Sequence, residues 1–320
     1  MRSRKKAPFS KSRKYSKYKI TNWSEYNNFL RNRGRIDFMI ASDLAIGWYA
    51  DHREEMKRGR PRSYSDHAIL QCLKIRCLFG LKLRQTQGFI NWLFEISGLS
   101  IRCPDYTTLS KRMKSLDLRS LHGNQDKEFS CISMDSTGIQ AYTGNEWLEN
   151  KHGKQYKRRI WKKLHIVIED QGMILADSTT EHTIDDRSQI ELLTANVRAK
   201  DFLGDRGYDG ECTYQLLRKK KIKPVIRPPN SSVKVQSLRD KTERDKAVIY
   251  QQNKGYQAWR VKNNYGRRER VENTFFRFKT SFGSKFLSRH DKNMTKEMSI
   301  KCHLLNKMFK IGKPTSVPVS

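Results

Sequence analysis

The sequence predicts an α/β chain: a mixed five-stranded sheet with crossover helices, preceded by an all-helical segment. Two observations carry this. Up to about residue 118 the apolar residues recur at helical spacing. From about residue 128 they fall into short runs bounded by Gly, Pro and Asp. A third observation bears on function: 65 Lys+Arg stand against 33 Asp+Glu, a net charge of +32 over 320 residues. Self-repulsion of that size opposes compaction, so a polyanionic partner is expected, with nucleic acid first. An anionic membrane surface ranks second, because no apolar run is long enough to span a bilayer.

Residues 1–20 hold nine Lys/Arg and no acid. They read as a basic flexible tail, which either orders on a phosphate backbone or only solubilises. WSEYNNFLRNRG and DFMIASDLAIGWYA predict two small helices. GRPRSYS (59–65) is a linker, with Ser65 or Asp66 as the cap of the next helix. Three helical patterns come next: SDHAILQCLKIRCLFG stopping at Gly80, LRQTQGFINWLFEISGL stopping near Gly98, and DYTTLSKRMKSLD opened by Asp105. Residues 21–118 thus read as a helix-turn-helix-like DNA module or as a plain helical packing domain.

From residue 128 the strands are FSCISMD, KLHIVIED, GMILADSTT, DFLGD and IKPVIRPP. DDRSQIELLTANV, with Ile190, Leu192, Leu193 and Val197 as its apolar face, and DGECTYQLLRKKK are the helices between the later strands. Residues 230–260 read as charged and irregular. TKEMSIKCHLLNKMFK predicts a last helix before a tail at 311–320. Three strands in a meander, then alternating helices and strands, is the order of a ribonuclease-H-like fold over 128–310. Cys72, Cys77, Cys103, Cys131, Cys212 and Cys302 form no C-x-x-C or metal-ligand pattern. Free thiols in a reducing, cytoplasmic compartment are expected, with no signal peptide.

Phosphodiester chemistry on DNA needs an activated nucleophile and charge relief on the leaving oxygen, which carboxylate-held Mg²⁺ supplies. The search is therefore for acids just after strands. Asp135 ends the first strand in ISMDSTG, with Gly138 turning the chain away. Asp205 ends the fourth in FLGDRGYDG. In the expected sheet those strands are neighbours. Taken alone, each reads as a turn or cap aspartate before it reads as a ligand. Asp209 competes with Asp205 but suits a helix cap. In YGRRERVENTFFRFK, residues Tyr265, Arg268, Glu272 and Lys279 have spacings of three, four and seven. At about 100° per residue they share one helical face, and Glu269 falls outside it as a surface partner. Phe275, Phe276 and Phe278 would pack around the helix. An ordinary Arg268–Glu272 pair four residues apart would look the same locally. His182 and Arg227 read as loop or solvent residues before they read as site residues. Trp161 reads as a strand-edge core residue before a base-stacking one.

Tyr265-x2-Arg268-x3-Glu272-x6-Lys279 resembles the Y-(2)-R-(3)-E-(6)-K signature of DDE transposases of bacterial insertion sequences, in all four letters and all three gaps. ISMDSTG and GDRGYDG resemble the first and second acidic motifs of that group, and the IS5-type family is most similar. The resemblance implies that Asp135, Asp205 and Glu272 are metal ligands for Mg²⁺, with Mn²⁺ as a substitute. Lys279 and Arg268 would contact phosphate, and Tyr265 would support or contact the strand. It further implies binding of double-stranded DNA at element ends, hydrolytic cleavage, joining of the 3′-OH to target DNA, and a homodimer holding two ends. Only about forty residues separate the fifth strand from the glutamate helix, so no inserted domain is expected. A DNA-binding repressor or an inactive relic is the competing class.

Overall fold

The computed structural model describes residues 18–35, 45–51, 61–122, 127–141, 160–228 and 242–319. The basic tail up to residue 17 and most of DFMIASDLAIGWYA lie outside them. The chain opens with β1 (Tyr18–Ile20) and α1 (Trp23–Arg33). The three expected helices follow as α2 (Asp66–Phe79), α3 (Leu83–Ile96) and α4 (Tyr106–Met113). Their ends obey local chemistry. Ser65 Oγ accepts the Ala68 amide, Asp105 accepts the Thr107 amide, and Gly80 closes α2 at φ 65°.

The sheet comprises β2 (Glu128–Gln140), β3 (Trp161–Glu169), β4 (Ile174–Glu181), β5 (Arg198–Gly204) and β6 (Lys223–Ile226). Its order is β4-β3-β2-β5-β6. β2, β3 and β4 are antiparallel neighbours, and β5 and β6 are added parallel to β2. This is the ribonuclease-H-like arrangement. Short helix α5 (Ile190–Leu193) and α6 (Glu211–Lys219) make the crossovers. The stretch 186–193 is a 3₁₀ turn followed by one helical turn rather than the longer helix expected; Ile190, Leu193 and Val197 are buried, but Leu192 is exposed.

Residues 243–262, read from sequence as irregular, form α7 (Glu243–Lys262), capped by Thr242 and kinked at Gly255. Its many charges lie on a solvent face and hid the buried Val248 and Trp259. A 3₁₀ turn (Tyr265–Arg268) leads into α8 (Glu269–Phe282), and α9 (Asp291–Ile311) follows. β7 (Ser316–Pro318) pairs antiparallel with β1, so both expected tails contribute a strand.

Strand parity decides what each face carries. Ile132 and Met134 of β2 join Val167, Phe202, Tyr208, Tyr214 and Leu217 beneath α5 and α6. The opposite parity, Cys131 and Ile139, faces α7 and α8 through Trp259 and Tyr265, and through Val271, Phe275 and Phe278. Asp135 shares that second parity.

α9 serves two cores. Met294, Met298, Cys302 and Leu305 pack on the sheet, whereas Ile300 and Leu304 complete the core of α2, α3 and α4. The expected break near residue 120 is therefore crossed by packing. It is also crossed by charge. Glu297, fully buried, accepts the Leu287 and Ser288 amides at 2.9 and 2.8 Å and Lys301 Nζ at 2.7 Å, with Arg76 of α2 at 4.0 Å. Burial disfavours this carboxylate, but Lys301 and Arg76 hold its pKa below the usual value. Removing one member leaves buried charge without its partner, so Glu297→Ala should cost about 3–5 kcal/mol in urea unfolding. A loss below about 1 kcal/mol would rule out a structural role for the triad. Among the described residues, no helix is long and apolar enough to cross a membrane.

Candidate active site

The last register pair between β2 and β5 is Ser133–Leu203. Asp135 and Asp205 each lie two residues beyond it, at the same level and on the α8 face. Parallel pairing thus brings together two acids seventy residues apart. Asp135 is not at a strand end as expected: β2 continues to Gln140, paired with β3 alone, and Gly138 sits inside it. A Cβ at Gly138 would stand 3.2 Å from the Trp161 ring, so glycine there makes room for a tryptophan rather than a turn. Trp161 covers that position at the edge, partly exposed.

Asp205 caps the 3₁₀ turn Arg206–Tyr208, accepting the Gly207 amide at 2.8 Å. Asp209 is no helix cap. Gly210 takes that position, and Asp209 is held bidentately by Arg244 at 2.9 and 2.8 Å, away from the cluster.

The third acid comes from α8. Its basic stretch is pinned to the sheet by its own arginines. Arg267 reaches Asp201 of β5 at 2.9 Å, and Arg270 reaches Asp170 in the β3–β4 turn at 2.8 Å. Arg268 lies between them. Its Nη2 donates to Asp135 Oδ2 at 2.9 Å and stands 3.8 Å from Asp205 Oδ2, while its Nη1 donates to Glu272 Oε1. One guanidinium therefore gathers Asp135, Asp205 and Glu272. Glu269 pairs with Arg260 and stays outside the cluster, as expected.

Tyr265 lies beneath the site rather than on its surface, so of the two roles expected, supporting or contacting the strand, its position suits support. It is 6% exposed, and its hydroxyl donates to the Gly204 carbonyl at 2.9 Å. Gly204 immediately precedes Asp205, so this bond fixes the turn that presents the acid. Tyr265 packs on Trp259, Trp259 on Tyr256, and Arg227 stacks over Tyr256 at 4.1 Å. Sequence reading missed this column because it took α7 for a loop. Lys279, two turns after Glu272, is exposed and joins no ion pair among the described residues. Phe275 and Phe278 are buried, but Phe276 is exposed. His182 lies exposed in the loop after β4.

A family model described as a transposase DDE domain matches residues 126–307, more than half the chain. The chain belongs to the transposase DDE-domain family. A second model of the same description matches residues 31–144. An uncharacterized protein of Aquifex aeolicus (strain VF5) is 32% identical over 170 residues, covering 48% of this chain and 51% of that protein. The chain thus spans about half the length of the curated relative it matches. A piggyBac transposase synaptic complex with hairpin DNA, determined by cryo-EM, aligns over 91% of this chain and 76% of that one. Its TM-score is 0.41 at 9% identity, too distant to carry an argument.

DDE transposases use divalent metal ions, and the donor chemistry here fits one: three carboxylates converge, and hard oxygen ligands suit such cations. Among the described residues, no three acids, histidines or cysteines stand close enough to enclose a metal as they are. Arg268 lies among the three acids as their shared counter-cation.

The cluster is electrostatically uneven. Burial pushes the Asp135 carboxyl up to about 6; Arg268 and the Ser136 amide oppose this, and Asp205 and Glu272 add to it. A carboxyl whose folded pKa lies above its unfolded value near 3.8 costs stability once it ionises. The cost is absent below about pH 4, grows between 4 and 6, and is complete above that. Two units correspond to about 3 kcal/mol. In chelator, Asp135→Asn should therefore raise Tm at pH 7.5 and leave it unchanged at pH 4. A lower Tm at pH 7.5 would show that the Arg268 contact outweighs burial.

Proposed function

We propose that this protein is an insertion-sequence transposase of the IS5 type. In this reading it binds double-stranded DNA at element ends, cleaves by metal-dependent hydrolysis and joins the freed 3′-OH to target DNA in a bacterial cytoplasm. The observation that supports it is the convergence of Asp135, Asp205 and Glu272, from three separate elements, on Arg268. A fold has no need to bring three carboxylates to one point at its surface, and their mutual repulsion opposes it. The four-letter spacing from Tyr265 to Lys279 supports the IS5 assignment.

In this reading the three acids hold Mg²⁺, for which Mn²⁺ can substitute. When bound, the metal activates the attacking oxygen and stabilises charge on the leaving one. Arg268, released from the acids, presents its planar fork to a phosphate oxygen. Lys279 extends positive charge along the same face of α8. Tyr265 and Gly204 hold the Asp205 turn in place. The helical segment 21–118 contributes to end recognition, and two copies of the chain hold the two ends.

Cleavage and strand joining on DNA carrying element ends test this. Glu272→Gln should lower Mg²⁺-dependent cleavage by more than about 100-fold with end binding retained. A cleaving mutant would remove Glu272 from the site. Lys279→Ala should weaken end binding and reduce the slope of log K against log salt by about 1. An unchanged slope would make Lys279 an ordinary surface residue.

A further inference from the structure

The Tyr208 hydroxyl finds no use in the fold. The ring is 1% exposed and packs edge-on against Phe202 at 6.0 Å. A Cβ at Gly204 would stand 3.1 Å from the Tyr208 Cβ, so the glycine before Asp205 makes room for this ring. The Tyr208 amide donates to the Asp205 carbonyl at 3.2 Å, which seats the residue in the same turn as that acid. Yet its hydroxyl has no hydrogen-bond partner among the described residues. Buried phenol hydroxyls ordinarily find one, and leaving one unpaired costs stability.

Besides burial, the phenol feels the charges of Asp135, Asp186, Asp205 and Arg268. Each nearby carboxylate already holds other donors. Asp135 takes the Ser136 amide and Arg268, and Asp205 takes the Gly207 amide. Asp186 takes Ser136 Oγ and Lys163 Nζ, both at 2.8 Å. A phenylalanine would fill the same space with no unpaired donor, so packing alone gives no reason for the oxygen.

We infer that Tyr208 is a positioning residue of the metal site, its hydroxyl donating to an oxygen that enters the Asp135–Asp205–Glu272 cluster with the cation. That oxygen belongs either to a water of the cation or to the phosphodiester. The inference rests on the metal-dependent reading above. By orienting the incoming oxygen, the donor would raise affinity in the way outer-sphere hydrogen bonds do at other metal sites, by about tenfold.

The test uses full-length wild type, Tyr208→Phe, and Tyr214→Phe as a second buried phenol beside Asp209. Metal-free Tm, Tm against Mg²⁺ concentration, and end-DNA affinity in Mg²⁺ are measured. Tyr208→Phe should keep or raise the metal-free Tm, since it deletes only an unpaired group. A roughly tenfold higher Mg²⁺ requirement for the Tm shift assigns the oxygen to water. An unchanged Mg²⁺ response with roughly tenfold weaker DNA binding in Mg²⁺ assigns it to phosphate. Tyr214→Phe should change neither. If Tyr208→Phe matches wild type in both while wild type responds to Mg²⁺, the inference fails and the transposase reading stands. A clearly lower metal-free Tm overturns it as well, because the hydroxyl would then serve the fold. A wild type with neither a Mg²⁺ response nor cleavage overturns both.

Discussion

Three ionised carboxylates brought to one point repel one another, and Arg268 answers that repulsion at the end of the sheet. At separations near 4 Å, like charges at a protein surface repel by several kcal/mol per pair. Arg268 supplies the opposing charge, bonded to Asp135 and Glu272 and close to Asp205. In the transposase reading the site would be balanced between two kinds of cation, the resident guanidinium and a divalent ion with the same claim on the oxygens. Loading the second would require the first to move, and an arginine displaced beside a phosphodiester would have its natural ligand at hand.

That exchange is useful only if the carboxylates stay put while Arg268 moves, and their anchors are independent of it. Asp135 is carried by a strand whose pairing with β3 continues past it. Asp205 is fixed by the Gly207 amide and, one residue earlier, by the Tyr265 hydroxyl on Gly204. The start of α8 is held by Arg267 on Asp201 and Arg270 on Asp170. Three of the basic residues in YGRRERVENTFFRFK are thus occupied with carboxylates, and Lys279, farther along, is exposed without such a partner among the described residues. A basic stretch in a highly basic chain is read too simply as a uniform phosphate-binding surface.

The sequence made the sheet and its acids legible because both depend on local pattern. Short apolar runs define strands, and parallel addition makes the first and fourth strands neighbours, so strand order made Asp135 and Asp205 candidates, and their resemblance to the two acidic motifs singled them out. Features set by partners distant in sequence were not legible. Asp135 seemed to end its strand because Ser136, Thr137 and Gly138 break the apolar run; β3 carries the pairing onward, and Trp161 accounts for the glycine. Tyr265 shares a helical face with Glu272 by spacing, but the 3₁₀ turn before α8 and the Trp259 ring direct it inward. α7 was missed because charge dominates its composition. Tyr208 stood in plain view within GDRGYDG, yet an unpaired hydroxyl has no signature until its neighbours are in place.

The last helix ties the helical segment to the sheet. Ile300 and Leu304 of α9 complete the core of the helical segment, and Met294, Met298, Cys302 and Leu305 of the same helix pack against the sheet and α8. The buried Glu297 adds a charge link from α9 to Arg76 of α2. A sliding interface does not carry a buried ion triad, because every displaced position would strand a charge. The helical segment and the sheet must therefore keep one relative orientation through α9. If the helical segment grips a DNA end, as proposed above, that end would be presented to Asp135, Asp205 and Glu272 in a fixed register, as cutting at a defined distance from a recognition sequence requires.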